Sequence, residues 1–145
     1  MRGLCRALVL ALALAAGSAA CSAAGIRGAS YVIVDTATNE RVEFDTFVDR
    51  VTSADVLFLG EQHDNTTCHE LQHWTTLALA KRRPVTLSLE QFEADVQGTL
   101  DAYLRGEISE AAFLAESRPW PNYEADYRPT LEWARGAGVR PREEA

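Results

Sequence analysis

The chain has 145 residues, 14 basic and 21 acidic, for a net charge of −7 at neutral pH. That balance argues against a nucleic-acid partner and against docking on an anionic membrane face, both of which call for a basic patch. Three cysteines, two of them within the first 21 residues, exclude a disulfide-stapled scaffold.

Arg2 and Arg6 flank the start, an apolar run spans Ala7 to Ala16, and Gly17, Ser18, Ala19 and Ala20 lead into Cys21. A charged start, a short apolar stretch and small residues before a cleavage point predict a secretory signal over residues 1–20. The apolar run is about half the ~20 residues that cross a bilayer as a helix, so it reads as a leader and not as an anchor. Ser18-Ala19-Ala20-Cys21 resembles a bacterial lipobox. Cys21 would then carry the acyl chains, palmitate among them, of an exported outer-membrane lipoprotein facing the periplasm or the cell surface. Ordinary cleavage after Ser22-Ala23-Ala24 is the competing expectation. Removing residues 1–20 leaves 125, one ordinary domain, whose 12 basic and 21 acidic residues give a net charge of −9. Cys68 is then alone.

Residues 21–30 are small and Gly-rich and predict a lipidated tether. Tyr31 to Val34 predicts a strand, Asp35 to Asn39 a turn, and Glu40 to Phe44 a second strand. Together they make a hairpin with a loop of four or five residues. Asp45 can cap a short helix presenting Phe47, Val48 and Val51. Val56 to Leu59 is a continuous apolar run, as a strand covered on both faces would be, and it stops at Gly60. A helix follows from about Thr67 to Arg82. Thr67 and Glu70 have capping-box spacing, and Cys68, Leu71, Thr75, Ala78 and Leu79 fall on one stripe. After Pro84, Val85 to Leu89 predicts a second buried strand ending at Glu90. Strand, helix and strand with short joints make a βαβ unit, so the expected fold is α/β with a partial parallel sheet and flanking helices.

Phe92, Val96, Leu100, Tyr103 and Leu104 stripe a helix from about Phe92 to Arg105. Ser109 caps the next, with Ile108 and Phe113 at staple spacing. Pro129 suits the first turn of a last helix through Arg135, which Gly136 or Gly138 would end. Where a third strand should follow, residues 140–145 are charged and cannot enter a sheet. The domain therefore reads as residues 31–139, C-terminally incomplete, with an aberrant tail.

Open parallel sheets bind ligands beyond the carboxyl ends of their strands. Two such ends are predicted, at Gly60-Glu61-Gln62-His63-Asp64-Asn65 and at Glu90. With Gly60 allowing a tight turn, Glu61, His63 and Glu90 would share one rim, where two carboxylates and an imidazole hold a cation or move a proton. Polar capping of a solvated loop is the plainer reading. His69-Glu70-Leu71-Gln72-His73 matches the zinc-protease pattern, in which i and i+4 imidazoles share a zinc; Glu90 or Glu93 could add a third ligand. On the helical period, however, His69 and His73 fall opposite the apolar stripe, on the face expected to meet water. Tyr103, Tyr123, Tyr127, Trp120 and Trp133 read as packing residues, although tyrosine and histidine can both ligate haem.

Val56-Leu57-Phe58-Leu59-Gly60-Glu61-Gln62-His63-Asp64-Asn65, followed by His69-Glu70-Leu71-Gln72, resembles the ChaN-type haem-uptake lipoproteins. Ser88-Leu89-Glu90-Gln91-Phe92, Gln97, the stretch from Leu100 to Ser109, Trp120, Tyr127-Arg128-Pro129 and Ala134-Arg135 continue the similarity over residues 31–139. The resemblance implies an α/β fold related to the erythromycin esterases and Tiki-type metalloproteases, with Gly60, His63 and Glu90 as the shared elements. It also implies an exported lipoprotein for iron acquisition and haem binding by a homodimer. Glu61, His63, Asp64, His69 and Glu90 would form the cofactor pocket; Glu61, His63 and Glu90 would hold a divalent metal ion in the alternative. A His-based or metal-dependent hydrolase is the second functional expectation, and a truncated product without function the third.

Overall fold

The computed structural model describes residues 31–138. The expected leader, the expected acylation site Cys21, the expected tether and the tail from Val139 lie outside the described residues. The chain divides into two units, the first ending at Arg83 and the second beginning at Pro84.

Asp35 and Asn39 shape the first unit's hairpin. Asp35 Oδ1 accepts from the Ala37 backbone N–H, and the Asn39 N–H donates to the Asp35 carbonyl at 2.7 Å. Asn39 has φ +59°, a left-handed conformation that asparagine tolerates better than most residues. The turn joins β1 (Ile33–Asp35) to β2 (Glu40–Val42), antiparallel, with Ile33 opposite Val42. Helix α1 (Phe44–Val51) buries Phe47, Val48 and Val51, as its spacing predicts, while Asp45 lies in its first turn. Helix α2 (Thr66–Ala80) packs on α1. Asn65 caps it, accepting the Cys68 N–H at 3.2 Å. The capping box expected at Thr67 does not form, because a competent cap stands two residues earlier. Ile33, Phe47, Val48 and Val51 make the core, with Val42, Leu57, Ala78 and Leu79 packed around it. Arg83 ties the end of this unit back by donating to the carbonyls of Thr52 and Ala54 at 2.9 and 3.0 Å.

The second unit is helical. A 3₁₀ turn (Ala94–Val96) leads into α3 (Gln97–Leu104), so the helix expected from Phe92 starts later. Ser109 Oγ accepts the Ala112 N–H and starts α4 (Glu110–Ser117). Ile108 packs in the cluster that holds Phe113, as a staple requires. A π-helical turn (Tyr123–Tyr127) continues into α5 (Arg128–Ala137), which has Pro129 in its first turn and ends at Gly138 with φ +66°. Helix α3 packs against both α4 and α5. The core is Leu100, Tyr103, Phe113, Tyr123, Tyr127 and Leu131. The Tyr103 and Phe113 rings stack at 4.5 Å.

The described residues are thus mixed α/β, with five α-helices and a two-stranded antiparallel hairpin. The partial parallel sheet expected from the apolar runs at 56–59 and 85–89 is not found: neither run belongs to a ladder. An apolar run records a demand for cover. A ladder needs in addition a partner backbone about 4.8 Å away, and no residue pattern supplies that. Val56 and Phe58 stay exposed, Phe58 at 72 %. No helix among the described residues is long and apolar enough to cross a membrane.

Candidate functional site

The site grows from a loop folded back over the helix it precedes. Gln72, in the second turn of α2, donates through Nε2 to the Leu59 carbonyl at 3.2 Å. Asn65 donates its backbone N–H to the Gln62 carbonyl at 2.9 Å and its side-chain amide to Gln62 Oε1 at 3.3 Å. These bonds lay residues 59–65 along the polar side of the first two helical turns. Gly60 has neither a positive φ nor a neighbour that a Cβ would meet, so the turn does not rest on glycine there.

Under this loop lies His69, 2 % exposed. Its Nδ1 meets Glu61 Oε2 at 3.1 Å and its Nε2 meets the His63 carbonyl at 3.3 Å. The other Glu61 oxygen, Oε1, meets His63 Nδ1 at 3.0 Å. The Glu61 carboxylate therefore bridges two imidazoles of opposite exposure: its own side chain is 6 % exposed, that of His69 1 %, and that of His63 65 %. Carboxylate oxygens accept, so the Glu61 contact selects the His63 tautomer with hydrogen on Nδ1 and assigns any coordination or base chemistry to Nε2.

This burial corrects the expectation that His69 and His73 face water. Helical periodicity separates an apolar stripe from everything else, and it assumes that everything else is solvated. Here the polar side of α2 has its own loop for a roof. His73, one turn on, is half-buried beside Trp74, with ring centroids 5.5 Å apart, and burial pushes its imidazole pKa down. His69 is committed to Glu61 and a backbone carbonyl rather than to a shared zinc. Among the described residues, no group of three or more His, Cys, Asp or Glu is arranged to hold a metal ion. The divalent-metal alternative gains no support.

The structure thus brings together Glu61, His63 and His69. Asp64 is exposed on the same loop, and Glu90 is exposed in the second unit, at the turn after residues 84–89. Cys68 is buried on the apolar side of α2 with a free thiol, as its position on the stripe predicts. Gln72, which anchors the loop, is the residue the sequence reading passed over. Its signal was available, since positions 65, 69 and 72 share one face of a helix.

The tyrosines of the second unit are held otherwise. Tyr103, fully buried, donates its hydroxyl to Glu132, and the Arg135 guanidinium lies 4.8 Å from its ring centroid. Burial, then Glu132, pushes the Tyr103 phenol up to about 12; burial raises Tyr123 further still. Both shifts oppose the phenolate that ligation of iron would require. Arg128 grips Glu110 through Nε at 2.5 Å and Nη2 at 2.9 Å, and holds that carboxyl below its usual range.

Fold and site define a mixed α/β protein that presents a carboxylate-held imidazole on a polar loop. The family model described as haem-binding uptake, Tiki superfamily, ChaN matches residues 47–141, well over half of the chain. The chain belongs to this family, a haem-binding one, and its partner is accordingly a small molecule. No curated protein and no solved structure matches it.

Proposed function

We propose that this protein binds haem for iron uptake, with His63 as the residue that meets the iron. The observation that carries the reading is the Glu61–His63 contact at 3.0 Å. A ligating imidazole is commonly fixed by a carboxylate on its other nitrogen, which orients the ring and raises its basicity. The residues present fit haem on their chemistry. His63 offers an exposed imidazole, and Val56, Phe58 and Leu59, exposed in the segment leading to it, offer apolar surface for a porphyrin face. Haem supplies the iron; the chain supplies the oriented nitrogen and the apolar contact. Asp64, exposed beside His63, rims the same loop.

The same reading takes the protein as an exported lipoprotein, acylated at Cys21, held at the outer membrane by its lipid alone and active as a homodimer. The leader pattern of residues 1–20 supports export. Metabolic labelling with a palmitate analogue tests acylation, which Cys21→Ser should abolish.

Haem titration of the full chain tests the cofactor. A saturable Soret shift is expected, weakened at least tenfold in His63→Ala. His63 is exposed, so its loss should leave the fold intact. Equal binding by wild type and variant would defeat the assignment. The carboxylate–imidazole pair also favours a second reading, a hydrolase with His63 as general base. Turnover of ester or peptide substrates that disappears in His63→Ala would establish it.

A further inference from the structure

We infer that His69 is a positioning residue for His63: it grips the residue at both ends and never meets the ligand itself. The inference rests on the haem reading for its ligand, but its geometry stands apart from it.

Four groups form a closed ring of contacts. The His63 imidazole meets Glu61 Oε1 at 3.0 Å, and Glu61 Oε2 meets His69 Nδ1 at 3.1 Å. His69 Nε2 then returns to the His63 backbone carbonyl at 3.3 Å. As the imidazolium, with hydrogen on both ring nitrogens, this one side chain donates both to the carboxylate that orients the His63 ring and to the backbone from which that ring hangs. His63 is two-thirds exposed, and the ring of contacts restrains its imidazole there.

Burial separates the two imidazoles by role. At 2 % exposure His69 cannot reach a bound porphyrin without lifting the 59–65 loop, which Gln72 pins at the Leu59 carbonyl and Asn65 pins at Gln62. The position of His69 one turn into α2, a helix of 15 residues, gives the grip a rigid base. A carboxylate shared between two imidazoles also couples them. Withdraw His69, and Glu61 loses the contact that aims its second oxygen. The His63 ring then has two ways to loosen, through its carboxylate and through its backbone.

The test needs no haem at first. In the full-length wild-type protein, long-range ¹H–¹⁵N spectra of the histidine rings should show His63 predominantly with hydrogen on Nδ1. Ring ¹³C relaxation should show its motion restrained despite its exposure. His69→Gln should move the His63 tautomer toward the mixture of an unconstrained imidazole, restore ring motion, and weaken haem binding by roughly 10- to 100-fold, the usual cost of removing a partner behind a ligand. A folded His69→Gln whose His63 tautomer and ring motion match wild type would overturn the inference. Should that variant fail to fold, the wild-type relaxation decides alone: a His63 ring as mobile as an unrestrained surface histidine overturns it equally. If wild type takes up no haem, the haem reading falls, and the tautomer and relaxation results still judge the role of His69.

Discussion

The two units differ in what their cores are made of. The second packs stacked and tilted aromatic rings around Phe113 and keeps its guanidiniums at the edge, paired with carboxylates there, while one carboxylate, Asp126, is buried with an amide donor from Asn122. Among the described residues, the first has a smaller, mostly aliphatic core and places a carboxylate and an imidazole out of water, while Val56 and Phe58 remain in it. Dense aromatic packing is how a short helical segment gains stability from few residues. Buried, mutually bonded polar groups are instead how a loop is held to one geometry, with little net gain in stability. The difference separates where the molecule is stable from where it is specified. The candidate chemistry lies in the unit with the lesser core.

Truncating the centre of each core sharpens that contrast most. Phe113→Ala should cost about 3–5 kcal/mol, because the ring is fully buried and stacked on Tyr103. Phe47→Ala, in a core of fewer and mostly aliphatic buried residues with a tilted Phe44 ring 6.3 Å away, should fall at or below the lower end of that range. Urea denaturation reads both, and a larger loss at Phe47 would break the comparison.

Tyr103→Phe comes next, at about 0.5–1.5 kcal/mol, since Glu132 keeps solvent and Arg135 as partners. The pH dependence carries a sign. Folding raises the Tyr103 phenol from 10.0 to about 12, so its contribution is complete below pH 10 and is lost as pH climbs toward 12. Tyr123, raised in the same direction, adds to that slope. Denaturation midpoints between pH 9 and 12 should therefore fall less steeply in Tyr103→Phe than in wild type.

Asn65→Ala and Ser109→Ala remove one side-chain cap from each unit, and each should cost about 1 kcal/mol. Only Asn65→Ala should also disturb the His63 ring signals, because Asn65 pins the site loop. The smallest effect is predicted at Arg118. Its φ of +48° is a left-handed strain that glycine relieves, and its ion pairs with Glu93 and Asp95, both at 2.6 Å, are exposed and screened by solvent. Arg118→Gly should leave the midpoint nearly unchanged.

What could be read from residues alone follows the same division. Caps, breakers and apolar stripes act locally, so Ser109, Pro129, Gly138 and the buried face of α1 were all legible. The Glu61–His63 pair was legible as a candidate because two polar residues end an apolar run. The burial of His69 was not, since it depends on a loop returning over a helix, and periodicity carries no record of what covers a polar face. The apolar runs at 56–59 and 85–89 were legible as apolar, and their pairing was not. A run of valines and leucines states what it avoids, not what it joins.

Resonance Raman spectroscopy of the ferrous haem complex of the full chain tests the central claim most directly. An iron–imidazole stretch that shifts on ¹⁵N-histidine labelling and vanishes in His63→Ala is the predicted result. A tyrosinate-ligated spectrum, or a histidine signal that survives in His63→Ala, would contradict it.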